Sequence, residues 1–130
     1  MIVVDTNTLV YLFLPTSLSD AAEKQLLDDP HWVAPVLWRS EFRNVLVGYL
    51  RNNRLSLDKA RKVQKLAEEF LLGCEYSVPS EDVLELVAAT SCSAYDCEFV
   101  ALAKSLGAPL VTMDKQVIRE FPDVARPLIE

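Results

Sequence analysis

Four acidic residues, Asp5, Glu41, Asp96 and Asp114, have the type and setting to do chemistry. Asp5 and Asp114 follow short apolar runs that read as strands, while Glu41 and Asp96 lie on helical stretches that otherwise bury themselves. Carboxylates that converge from distant parts of a chain repel one another unless a cation sits between them, so the set points to a hard divalent ion such as Mg²⁺ or Mn²⁺. The chemistry this suggests is metal-assisted hydrolysis of a phosphodiester.

Each acid also has an ordinary explanation. Asp5 and Asp114 could be polar strand ends or acidic helix starts favoured by the helix dipole. Asp96 follows Ser93 at the spacing of a capping box. Glu41 is harder to dismiss, because it lies beside the stripe Trp38, Phe42, Val45, with Leu37 and Val45 one turn away on either side, where a lone carboxylate would be costly. Glu98 reads as a solvated or flanking group, and His31, the one histidine, as a surface loop residue. No Gly-rich phosphate loop, Gly-x-Ser-x-Gly elbow or Cys–His pair is present.

The elements that must position these acids follow from the apolar patterning. The 130 residues are expected to form one domain, 1–130, large enough to bury roughly two-thirds of its unfolded surface. Ile2-Val3-Val4 reads as a buried strand, and Thr6 or Asn7 as the cap of a helix running through Leu9, Leu12 and Phe13 to Pro15. Ser19-Asp20 opens a second helix with Ala22, Leu26 and Leu27 on its apolar face. Trp32-Val33-Ala34 is a second strand. A helix from Val36 carries Trp38, Phe42, Val45 and Tyr49 on one stripe, and another, capped by Ser56, turns Ala60, Val63, Ala67 and Phe70 inward to complete a hairpin. Cys74 to Val78 alternates like a strand. Helices then start at Pro79-Ser80, with Val83, Val87 and Ala88 inward, and at about Tyr95, the latter closed by Gly107. Leu110-Val111-Thr112 is a strand, Asp114 begins a short helix, and Arg126 to Ile129 supplies a last edge strand.

Strands separated by helices imply right-handed crossovers and a mostly parallel central sheet, hence an α/β fold of three layers, α/β/α. The ligand crevice of such a sheet lies beyond the carboxyl ends of its strands, where Asp5 and Asp114 would both stand.

Composition narrows the classes further. A formal charge of −6 argues against a polyanion substrate, but removing the four acids as metal ligands leaves −2, and a bound cation would reverse the local field. Arg39, Arg43, Arg51, Arg54, Arg61, Lys62 and Lys65 concentrate positive charge mid-chain. Three cysteines, Cys74, Cys92 and Cys97, without paired spacing, read as reduced and mostly buried thiols of a cytoplasmic protein. The opening meets a charge too early for a secretory signal, and no apolar run approaches the roughly 20 residues a membrane span needs.

At these same residues the sequence resembles the PIN-domain ribonucleases, most closely the VapC-type toxins of toxin–antitoxin pairs. Ile2-Val3-Val4-Asp5-Thr6-Asn7 looks like the family opening, Glu41 stands where the family places its helical acid, Tyr95 to Ala103 resembles the third motif, and Leu110-Val111-Thr112-Met113-Asp114 the fourth. The family often has a small or apolar residue where Glu98 stands. The resemblance implies a PIN-like α/β/α sandwich and an endoribonuclease dependent on Mg²⁺ or Mn²⁺. It implies Asp5, Glu41, Asp96 and Asp114 as metal ligands and catalytic residues, with Thr6, Asn7 and Thr112 in support. An RNA substrate and a protein antitoxin are the expected partners. The arginine-bearing hairpin from Val36 to Leu72 suggests a homodimer or antitoxin-binding surface. A stand-alone RNA-processing nuclease and a non-catalytic binding module are the alternatives; a phosphoryl-accepting Mg²⁺ domain is disfavoured, since Asp5-Thr6-Asn7 lacks a second aspartate.

Overall fold

The structure, a computed structural model, describes residues 1–129. In chain order the elements are β1 (Ile2–Val4), α1 (Thr6–Phe13), α2 (Ser19–Asp28), β2 (Trp32–Pro35), α3 (Trp38–Arg51), α4 (Leu57–Phe70), β3 (Glu75–Tyr76), α5 (Ser80–Ala89), α6 (Ala94–Leu106), β4 (Leu110–Val111), α7 (Lys115–Glu120) and β5 (Ala125–Arg126). The five strands form one sheet in the order β3-β2-β1-β4-β5, and every pairing is parallel. Such strands are covered on both faces, and their sequences are accordingly continuous apolar runs: Val3, Val4, Val33, Ala34 and Val111 are fully buried.

This order carries a functional consequence. From β1 the chain moves outward to β2 and β3, then returns past β1 to β4 and moves the other way to β5. Right-handed crossovers therefore put α1 to α4 on one face and α5 to α7 on the other. The direction of winding reverses between β1 and β4, and the connections leaving those two strands diverge, opening a crevice at their carboxyl ends. Val4 pairs with Val111, so Asp5 and Thr112 emerge side by side into it.

The helices stop where the chain chemistry requires. Ser56 and Ser93 accept from the backbone N–H of Lys59 and Asp96, as side-chain caps do. Gly107 ends α6 in the left-handed region at φ 62°, which a residue with a Cβ enters only with strain. Beneath the hairpin, Trp38 and Phe42 pack edge to face with ring centroids 5.7 Å apart, and both are fully buried.

Several sequence expectations shift in detail. Asp5, not Thr6 or Asn7, caps α1, because its carboxylate accepts from the Thr8 N–H. The third helix starts at Trp38, two residues after Val36. The last strand is Ala125–Arg126, ending before Pro127, which has no N–H to continue a ladder. The strand expected over Cys74 to Val78 is confined to Glu75–Tyr76. Leu27 is 85% exposed and Ala88 is exposed; Gln25 takes the buried place on α2, its amide oxygen accepting from Arg126 at 3.2 Å.

Candidate active site

Asp5, Glu41, Asp96 and Asp114 line a single pocket of 530 Å³ at the β1/β4 crevice, with Thr6, Asn7 and Thr112 beside them. The capping readings are also correct, and they explain how the pocket is assembled. Asp5 is the N-cap of α1, Asp114 that of α7, and Asp96 sits in the first turn of α6 behind its Ser93 cap. Three helix N-termini thus deliver three acids, each favoured there by the helix dipole. Glu41 arrives from the first turn of α3.

Asp5 is the most confined. Its Oδ1 accepts from the Thr8 N–H at 2.9 Å and the Thr8 hydroxyl at 2.7 Å, and its Oδ2 from the Thr112 hydroxyl at 2.5 Å. Thr112 Oγ1 in turn accepts the Asp114 N–H at 3.0 Å, tying the two strand-end acids together. Thr6 donates its hydroxyl to Glu41 Oε1 at 2.7 Å, so Thr6 and Thr112 each hold one of the acids by a hydrogen bond. Asp114 Oδ1 accepts the Val117 N–H at 3.1 Å.

The electrostatics are those of an uncompensated anionic cluster. Burial raises the Asp5 carboxyl above its ordinary range; the hydrogen bonds from Thr112 and Thr8 oppose this, and the Asp114 charge adds to it. Glu41 is raised by burial, against the pull of Thr6, and then by the charges of Asp96, Asp5 and Glu98. Asp96 is raised by burial and by Asp114 and Asp5. Glu98 does not line the pocket; its influence is through charge alone. No Lys, Arg or His lines the pocket.

Among the described residues no three His, Cys, Asp or Glu side chains already stand close enough to hold one ion. The charged donors nonetheless suit a hard cation: four carboxylates line one pocket, and the charge of a neighbouring acid adds to the rise of Asp5, Glu41 and Asp96. Asp5, Glu41, Asp96 and Asp114 are therefore the residues that could hold it.

The pocket also holds residues that the motif reading passed over. Beside Tyr95 of the third motif, these are Ser40 and Asn44, which flank Glu41 on α3. The spacing 37, 40, 41, 44, 45 is one helical face and could have marked them. Two other residues named from the sequence lie elsewhere. His31 is an exposed residue whose carbonyl accepts the Ile2 N–H, at the opposite end of β1 from the pocket. Arg39, counted with the positive stretch, is engaged internally with Glu75 and Glu68.

A family model for the PIN domain matches residues 2–126. Ribonuclease VapC3 of Pyrobaculum aerophilum is 27% identical over 129 residues, which are 97% of this chain and 98% of that protein. The crystal structure of a Pyrobaculum aerophilum protein matches with a TM-score of 0.76 at 20% identity, over 97% of this chain and 82% of the other. A chain in a toxin–antitoxin complex from Klebsiella pneumoniae matches with a TM-score of 0.70 at 17% identity, over 100% of this chain and 99% of its own length. At these identities the structural matches establish the shared fold.

Proposed function

The chain belongs to the PIN domain family, and from that premise we propose that it is a divalent-metal-dependent endoribonuclease, the toxin of a type II toxin–antitoxin pair. The observation that carries this reading is the convergence of four carboxylates, from four separate parts of the chain, on one pocket with no cationic side chain among its lining residues. The similarity to a protein named Ribonuclease VapC3 supports RNA as the substrate, and the fold shared with a chain of a toxin–antitoxin complex supports a protein antitoxin.

Asp5, Glu41, Asp96 and Asp114 would hold Mg²⁺ or Mn²⁺. When bound, such an ion supplies positive charge against the scissile phosphate and makes water a better nucleophile. The chain's own residues prepare the site. Thr8 and Thr112 fix both oxygens of Asp5, and Thr6 fixes one oxygen of Glu41, so that these carboxylates are oriented before substrate arrives. No side-chain nucleophile is needed; Cys92 and Cys97 are buried, and burial pushes both thiols up, away from reactivity.

The α3/α4 hairpin is the surface we assign to a protein partner, antitoxin or second copy. Leu46, Leu50, Leu57 and Ala60 form the floor of a groove there, bordered by Arg43, Arg61 and Lys65. Among the described residues no single helix is long and apolar enough to cross a membrane.

The test is to incubate the chain and its Asp96→Asn variant with labelled structured RNA in Mn²⁺, Mg²⁺ or chelator. Discrete products from the parent alone, lost with chelator, are expected. Absence of cleavage across a total-RNA pool would overturn the nuclease reading in favour of a binding module.

A further inference from the structure

The carboxylates account for only part of the pocket. Leu37, Val45, Tyr95 and Phe99 bring apolar and aromatic surface into the same cavity, and Asn44 adds a neutral amide. A metal ion and a phosphate group use none of that surface. Among the described residues neither the Asn44 amide nor the Tyr95 hydroxyl has a side-chain hydrogen bond, and the Tyr95 ring is 63% exposed on the pocket wall. Tyr95 stands open directly beside the half-buried Asp96, where its ring is free to receive a flat partner.

We infer that this part of the pocket is a subsite for one unpaired nucleobase next to the scissile phosphate, with Tyr95 as its stacking platform and Asn44 as the reader of its edge. The inference rests on the nuclease reading and deepens it.

The arrangement on each wall supports the assignment. Asn44 lies one helical turn beyond Glu41 on α3, and Tyr95 immediately precedes Asp96 at the start of α6. Each wall therefore sets a neutral recognition group beside an acid, which matches a nucleotide, where base and phosphate hang from one sugar. A base presents a flat π-face that stacks on an aromatic ring whatever its identity, and an edge of donors and acceptors. The Asn amide offers both a donor and an acceptor, so it can pair with such an edge in two contacts. A base inside a duplex has both faces stacked and its edge occupied, so only a loop, bulge or single strand can enter.

The experiment uses the full chain and follows cleavage of a set of single-stranded oligoribonucleotides that differ only at the base beside the cut. Loss of the Tyr95 ring in Tyr95→Ala is expected to raise KM about tenfold or more, the scale of one base–aromatic stack, with a smaller change in kcat. Tyr95→Phe, which keeps the ring, is expected to recover most of that loss. Asn44→Ala is expected to flatten the base preference. Unchanged KM in Tyr95→Ala together with an unchanged preference in Asn44→Ala would overturn the subsite. In parallel, uncharged nucleosides are titrated into the isotopically labelled parent without metal, and the Asn44 side-chain amide signal is followed. Should the parent cut no RNA, this arm decides alone: a saturable shift of that signal upholds the base subsite although the nuclease reading has failed, and no shift removes both.

Discussion

Two acidic regions of this molecule invite comparison because their environments are alike and their electrostatics opposite. Around β3, Glu75 is largely buried and accepts from Trp38 Nε1 at 2.8 Å and from two Arg39 nitrogens at 2.7 Å, while Arg39 also reaches Glu68 at 2.9 Å. Arg39 holds the Glu75 carboxyl below its ordinary range, despite burial. Around β1 and β4, Asp5, Glu41 and Asp96 are pushed the other way, by burial and by one another. The same chain thus pairs a carboxylate fully where it needs structure and leaves four of them without a cationic side chain in one pocket. The contrast shows what a partner decides: a half-buried carboxylate beside a guanidinium is lowered, and one left among other acids is raised.

The sharpest way to break the comparison is to neutralise one glutamate from each region. Glu41→Gln is expected to lower RNA cleavage by about a thousandfold, the scale of losing several kcal/mol of charge stabilisation, and to leave the fold intact. Glu75→Gln is expected to retain cleavage and to lose stability in urea. If both variants cut equally well, the two regions do not differ in role.

A second, smaller effect separates them by linkage to metal. At about 100 times its dissociation constant, Mn²⁺ stabilises a one-site protein by about 2.7 kcal/mol. Thermal unfolding is expected to show a rise of this order in the parent and in Glu75→Gln, and much less in Glu41→Gln.

Next in size is Arg39→Ala, which leaves Glu75 short of its charged donor. A loss of about 2 kcal/mol is expected in denaturant unfolding, reduced from that of a fully buried pair because Arg39 is one-third exposed to screening solvent. Cleavage by the surviving folded protein should be unaffected.

The smallest effect is in pH. Carboxyls raised on folding hold protons that the unfolded chain has already shed, so the stability that Asp5, Glu41 and Asp96 contribute is complete below the ordinary carboxylate range and is lost as pH rises through their raised values. Glu75 has the opposite sign: its contribution is present above the ordinary value and lost as pH falls through its depressed one. Metal-free protein is expected to lose stability as pH rises above the ordinary carboxylate range, and Glu41→Gln to flatten that slope. An equal slope in the variant would show that folding, by burial and by the neighbouring acids, does not raise the Glu41 carboxyl.

The acids of the pocket were legible in the sequence because strand ends and helix starts carry local signatures. Asp5 and Asp114 each follow a run too apolar to belong anywhere but the sheet, and the parallel order then brings them together. The remaining lining was less visible. Ser40 and Asn44 are polar residues on an exposed helical face, and only Glu41 between them marks that face as different. The partnership of Arg39 with Glu75 joins residues 36 apart across a hairpin and a strand of two residues, which no local pattern announces. Leu27 was misplaced because an apolar residue at helical spacing reads as core, whereas here the buried position on α2 goes to Gln25, whose carbonyl meets Arg126 from the far edge of the sheet.

The order of the strands also bears on when the molecule can act. β1 is made before the other strands of the sheet, but one of its two neighbours, β4, is made more than a hundred residues later, and Asp5 obtains its Thr112 and Asp114 companions only then. Between the making of Asp5 and that of Asp114 the nascent chain carries an incomplete set of carboxylates beside an unfilled sheet edge. The messenger being read is itself RNA at close quarters, and the winding of the sheet delays assembly of the pocket until the ribosome has passed residue 114.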